Sequence, residues 1–363
     1  MFGERLKLAR KKAGLSLRDL AEKADVSAQA LSKYERGLML PNSGVLTKLC
    51  KILDVGTGFF MSPMKLRLAN IEYRKHSQTK AREEASVQSQ VIDLAEKYLA
   101  IEKIVGAETD SIWEKSARIV KDDNADIEVL AQECREHWKL GSDPIPNMTE
   151  LLEDLGIKVL MVDSDRVSGL TAMLEYGPDK MQVPVVVVSK KKNLEHRRFT
   201  LAHELGHRLI KPESKLSDFE KAAHRFASAF LMPRSHIESE FGKHRTAISM
   251  PELYDLKQSY RVSLKALVRR LKDLEIINEI TYRNFHVFYS QHWKSDIEPK
   301  PLEKDEERGC KEQPRRFERL CFWALSEDYV SLSKASELLG KNIETIECMM
   351  KAPEACENVT HCH

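Results

Sequence analysis

The spacing of apolar positions predicts helices at both ends of the chain and a short stretch of strand character between them. Leu6, Leu8, Ala9 and Ala13 give a first short helix that stops at Gly14. Ser16 reads as an N-cap with Asp19 three residues on, opening a second helix through Leu17, Leu20, Ala21 and Ala24. After a tight turn at Asp25 and Val26, Ser27 caps a third helix, "SAQALSKYERG", which Gly37 ends. Its Ala30, Leu31 and Tyr34 face inward, leaving Gln29, Ser32 and Lys33 outward.

From Lys65 to about Val105, Val87, Val91, Leu94, Tyr98, Ile101 and Val105 recur at spacings of three and four. This pattern predicts a long amphipathic connecting helix, which either pairs two subunits or packs on its own chain. A helix over Ile127–Leu140 ends at Gly141, and "TELLEDLG" gives a short one. "IKVLMV", "GLTAMLEY" and "MQVPVVVVS" read as strands of a small sheet. Pro184 has no ladder donor, which places the last of these at or near an edge.

"FTLAHELGHRLI" returns to helical spacing, with Leu201, Leu205 and Leu209 on one apolar face. "SDFEKAAHRFASAFLMP" is another helix, with a buried stripe of Ala223, Phe226, Ala227, Phe230 and Leu231. Two helices around "RVS" follow, their Leu253, Leu256, Leu264, Leu267, Val268 and Leu271 inward. They have the outline of another helix-turn-helix, in which Arg261, Lys265, Arg269 and Arg270 either touch nucleic acid or serve packing. "SDIEPKPLEKDEERGCKEQP" is a flexible linker, "RRFERLCFWALSEDYVSLSKASELLG" a final helical pair, and "CENVTHCH" a disordered tail despite its metal-binding residue types.

Length adds domain count: 363 residues exceed one small core and imply two or three units. No apolar run reaches the ~18 residues of a membrane span, and the N-terminus lacks the apolar core of a secretion signal. A cytoplasmic protein without membrane contact is expected. The seven cysteines, with no CxxC pair, fit a reducing compartment. The near balance of 58 basic and 56 acidic residues hides a basic N-terminal end, net +6 over residues 1–53.

That charge sits on the predicted helix, turn and polar-faced helix, an arrangement that places its second helix in the major groove of DNA. Ser27, Gln29, Ser32, Lys33 and Arg36 are the candidate DNA contacts. Gln29 suits adenine, while Lys33 and Arg36 suit guanine or phosphate. The stretch from Glu4 through "SKYERG" and Pro41 to Leu53 closely resembles the Xre/Cro family of helix-turn-helix domains.

The second chemistry lies in "HELGH". Residues four apart on a helix differ by about 40° in azimuth and ~6 Å in rise, so His203 and His207 can each aim a nitrogen at one zinc ion. Glu204, about 100° further round, is placed for a general base. A peptidase-type zinc needs a third protein ligand. Glu220 stands near the start of the next helix, although Ser217 and Glu220 also have capping-box spacing. His224, one turn on, is either a partner of a ligand or a ligand itself.

"RRFTLAHELGHRLI" followed by "FEKAAHRFASAFLMP" looks like the ImmA/IrrE family of metallopeptidases. The resemblance extends through "DIEVLAQECREHW", "PIPNMTELLEDLGIKV" and "VSLKALVRRLKDLEII". It implies a zincin-like domain that cleaves repressor proteins, with zinc held by His203, His207 and Glu220. Position 224 departs from the family pattern, with histidine where asparagine or aspartate is usual. An extended substrate is expected to pair with the strand around Val185 to Val188. His224, Tyr176 and Arg198 are candidate oxyanion donors.

The expected fold is mostly α with a small β-sheet (α+β). Residues 1–60 form a five-helix helix-turn-helix domain, 61–123 a helical connector and 124–245 the zincin-like metallopeptidase domain. Residues 246–363 form a C-terminal helical, helix-turn-helix-like region with a linker near 295–313. The expected function is a transcriptional regulator bound to double-stranded operator DNA, with a zinc-dependent endopeptidase that cleaves a repressor or itself on a signal. A homodimer is compatible with it. The alternative is a non-proteolytic transcription factor whose metallopeptidase-like domain senses a metal, ligand or partner.

Overall fold

The computed structural model describes all residues except 64–65, 76–80, 110–111, 122–124, 166, 178–180, 212, 217, 293–311 and 352–363. The expected linker near 295–313 and the Cys/His tail therefore lie almost wholly outside the described residues.

The N-terminal unit holds α1 (Phe2–Lys12), α2 (Leu17–Ala24), α3 (Ala28–Glu35), α4 (Ser43–Leu53) and α5 (Thr57–Met61) around Leu6, Leu20, Leu31, Leu49 and Phe60. The expected capping box is present, Ser16 and Asp19 each accepting the other's backbone N–H. Asp25 takes a left-handed conformation (φ 57°), and Ser27 accepts from the Ala30 N–H to open α3. Gly3 of α1 lies so close to the Tyr34 and Glu35 carbonyls that a β-carbon there would collide with them.

The long connecting helix begins later than its pattern suggested. Residues Leu66–Lys75 form a strand, β1, and the helix α6 covers only Ala81–Val105. The apolar spacing that predicted the helix starts at Val87, whereas Leu66, Leu68 and Ile71 pack as sheet residues against the core over α6. That helix turns its apolar face to its own chain: Val87, Val91, Ala95, Tyr98 and Ile101 are buried.

After a 3₁₀ turn at Trp113–Ser116 come α7 (Ala125–His137), α8 (Met148–Asp154), β2 (Lys158–Val162), β3 (Val167–Tyr176) and β4 (Met181–Ser189). The four-stranded sheet has the order β1-β3-β4-β2, with β2 and β4 parallel and the other pairs antiparallel. β4 is thus an interior strand one in from the edge strand β2, near an edge as Pro184 suggested but not at it. The proline is accommodated because β2 pairs with β4 only from Val185 onward, so Pro184 has a ladder partner on one side alone, Met173 of β3. For the same reason Val185 to Val188 offer no free edge to a substrate.

Alternation along β4 separates two cores. Val186 and Val188 join one with α9 (Leu194–Leu209), α10 (Phe219–Leu231), α11 (Arg234–Phe241), α12 (Met250–Tyr260), α13 (Leu264–Asp273) and α14 (Glu279–His292). Val185 and Val187 join the other with α6, α15 (Arg316–Ser326), α16 (Leu332–Leu339) and α17 (Ile343–Met350). Buried on both faces from Pro184 onward, β4 is apolar through Val188 before its buried final Ser189, as suits a central strand.

Candidate metal centre and nucleic-acid interface

The histidine helix is fixed before it does chemistry. Asn193 caps α9 by accepting from the His196 N–H, and Leu201, Leu205 and Leu209 are buried in the core as their spacing predicted. Arg208 ties the helix to β3, donating to Thr171 Oγ1 at 2.6 Å and to the Ala172 carbonyl. Gly206 faces α10: a β-carbon there would stand 3.0 Å from Phe226 Cδ1 and 3.3 Å from Ala223 Cα. Its absence lets the two helices cross closely enough for Glu220 to reach the histidines.

Asp218 caps α10, accepting from the Lys221 N–H at 3.1 Å; Ser217, the other half of the expected capping box, lies outside the described residues. The Glu220 carboxylate lies beside the two histidines. His203 Nε2 and His207 Nε2 are 3.0 Å apart. Glu220 Oε2 is 3.3 Å from the first and Oε1 3.4 Å from the second. Among the described residues these three form the group whose donor atoms converge, all within 4.8 Å. A tetrahedral zinc with bonds of ~2.1 Å has ligand–ligand edges of ~3.4 Å, so the separations and the two-nitrogen, one-oxygen donor set fit the ion. His203 is buried, His207 nearly so, and the Glu220 side chain is 63% exposed, which leaves one side of the triangle open.

Glu204 is buried beside this group under β3. Gly169 of β3 makes room for this stretch of α9: a β-carbon there would collide with Thr200 and lie 3.1 Å from Glu204 Oε1. Nothing in the helix pattern pointed to Gly169, although a glycine inside a strand is a signal of close approach. His224 does not join the ligand triangle. Its ring packs 4.7 Å from that of His203 and 5.3 Å from Phe199, centroid to centroid. Arg198 is engaged in the core: fully buried, it donates to the Tyr260 and Ile145 carbonyls and pairs with Glu312.

In the N-terminal unit α2 and α3 meet at the expected turn, and α3 presents Ser27, Gln29, Lys33 and Arg36 to solvent, with Ser32 half-buried. Arg10 fixes the back of α3 through Glu35, at 2.6 and 3.0 Å. The cations of α12 and α13 make contacts within the chain instead, although Lys265 and Arg269 remain exposed. Arg261 donates to the Pro146 carbonyl, Lys265 lies over the Tyr289 ring, Arg269 pairs with Asp273, and buried Arg270 pairs with Glu128. This favours the packing role for that helix pair.

Fold and site thus define a helix-turn-helix unit joined to a metallopeptidase-like unit, and comparison with known proteins agrees. The helix-turn-helix family model matches residues 6–60, and that of the M78 peptidase family, described as IrrE N-terminal-like domain, matches residues 152–272. The SPbeta prophage-derived uncharacterized HTH-type transcriptional regulator YonR of Bacillus subtilis (strain 168) is 43% identical over 61 residues, 17% of this chain and 56% of that protein. The HTH-type transcriptional regulators ImmR and SinR of the same organism are 38% identical over 60 residues and 46% over 56. These matches cover 16% and 15% of this chain, and 47% and 50% of the relatives. The chain spans about half the length of the curated relatives it matches. It carries a helix-turn-helix domain of the transcriptional-regulator type and an IrrE N-terminal-like domain of a peptidase family. No helix among the described residues is long and apolar enough to cross a membrane.

Proposed function

We propose that this protein is a DNA-binding transcriptional regulator whose IrrE-like domain is a zinc-dependent endopeptidase acting on a repressor protein or on the chain itself. The observation that carries the reading is the convergence of His203, His207 and Glu220 on one point, with Glu204 buried beside it. His203 and His207 would hold zinc through Nε2 and Glu220 through its carboxylate. When bound, the ion supplies Lewis-acid polarisation of a peptide carbonyl and favours ionisation of water. Glu204, held between α9 and β3, takes a proton from the attacking water and returns it to the leaving amine. The apolar back of α9 keeps the helix rigid, so the base stays in place without reorganisation.

On the DNA side α3 enters the major groove, Gln29 reads a base edge, and Lys33 and Arg36 contact base or phosphate. The test is cleavage of candidate repressors, and of the chain itself, by the natural protein beside Glu204→Gln. Cleavage by the natural protein alone is expected; equal activity in both would remove Glu204 from its role, and none in either would remove the endopeptidase.

A further inference from the structure

The strand β1 is the segment that leaves the helix-turn-helix domain, and it lies on the metallopeptidase-like domain's sheet. It pairs antiparallel with β3 from Leu66↔Tyr176 to Lys75↔Val167. Without it β3 would be the edge of the sheet, since its other side is taken by β4. The register matters: Arg74 is the partner of Gly169, the residue whose backbone lies against Glu204. Adjacent strands are ~4.7–4.9 Å apart, so β1 passes one strand spacing from the residue that covers the general base. An extended polypeptide adding to β3 would occupy this same ladder.

We propose that β1 is a cis occupant of the peptide-docking edge of β3, closing the site to an extended substrate until the segment is released. This rests on the endopeptidase reading for what docks there, and it names how that site is regulated. The ladder is suited to release. It breaks register between Ala69 and Glu72 and again between Arg74 and Lys75, and each irregularity forfeits regular pairing. Of the described β1 side chains only Leu66 is fully buried, Leu68 and Ile71 being half-buried.

The entry to β1 is held by the DNA-binding unit. Arg5 of α1 donates to the Ser62 carbonyl at 2.9 Å and to the Pro63 carbonyl at 2.6 Å, and pairs with Glu96 of α6 at 2.5 Å. Arg5 is itself buried. A shift of α1 relative to α6 therefore pulls on the chain just before the strand.

The test uses the full-length chain and a fluorescent synthetic peptide of residues 66–75, with binding read by anisotropy, so neither metal nor cleavage enters the readout. Arg67→Cys with Glu175→Cys places thiols at partnered positions of the two strands. Oxidation is expected to cross-link them, as peptide mapping would show, and to abolish peptide binding, with reduction restoring it. Leu68→Pro with Ala69→Pro removes a ladder donor, since alternate N–H groups of an antiparallel strand face its neighbour, and is expected to tighten binding about tenfold by raising the fraction of open edge. Failure of the cross-link to form, or peptide binding that is the same in the oxidised and reduced protein, overturns the proposal whatever the proline variant does. If peptide binding behaves as expected while no repressor is cleaved, the docking edge stands and the endopeptidase reading alone falls.

Discussion

Gly169 faces Glu204 across the gap between β3 and α9, and the space of its missing side chain is taken by the Thr200 methyl group with the Glu204 carboxylate at its margin. Gly169→Ala would push a methyl group to 3.1 Å from Glu204 Oε1 and into Thr200. The expected result is loss of cleavage with zinc content unchanged, and a loss of about 1–3 kcal/mol of stability from overpacking. Activity, elemental analysis and thermal unfolding on one preparation check all three parts.

Gly206 has the corresponding part in ligand placement. Gly206→Leu forces α9 and α10 apart at Phe226 and Ala223 and withdraws Glu220 from the histidines. Zinc affinity, measured by competition with a chelating dye, should fall by about 10–100-fold, the usual cost of disturbing ligand orientation. Unchanged affinity would mean that Glu220 is not a ligand.

For the DNA interface, Gln29→Ala and Lys33→Ala should each weaken operator binding without altering zinc content. Loss of a base-reading Gln29 costs about 1–3 kcal/mol at one base position. Loss of a phosphate-contacting Lys33 lowers affinity across sequences and reduces the salt slope by about one. Full binding by both variants would take α3 out of the groove.

A buried carboxyl outside the site sets a pH dependence of stability. Burial pushes Glu153 up to about 7 from the ordinary 4.5, with the Tyr98 hydroxyl donating to it at 3.2 Å. The folded chain therefore holds a proton that the unfolded chain releases between pH 4.5 and about 7. Glu153 contributes its full stabilisation below that window, and stability declines as pH rises through it. Glu153→Gln keeps an acceptor for Tyr98 and should flatten the decline, gaining about 1–3 kcal/mol at pH 8 in denaturant titrations. An unchanged profile would show that Glu153 ionises freely in the fold.

Much of this was legible because it depends on local rules. The Ser16 box, the Ser27 cap and the αL turn at Asp25 are decided by residues within one turn of each other, and so is the His203–His207 pair on a single helix. The approach of Glu220 to the histidines depended on long-range packing, since it needs the close crossing of α9 and α10 that Gly206 allows. Pro184 placed its strand near an edge but could not say which side stays unpaired there, because the sequence shows that a donor is missing but not how far the neighbouring strand extends. The β1 strand was hidden by the strong helical spacing beginning at Val87, and α14 exposes Ile280 and Val287 beside its buried Phe285 and Tyr289, which blurs its stripe.

The central claim is that His203, His207 and Glu220 bind a divalent cation, and zinc stoichiometry measures it directly. Elemental analysis of chelator-free protein should give about one zinc per natural chain, the same for Glu204→Gln, and little or none for His203→Ala with His207→Ala. A natural chain that takes up no zinc, or a double variant that retains it, would contradict the account.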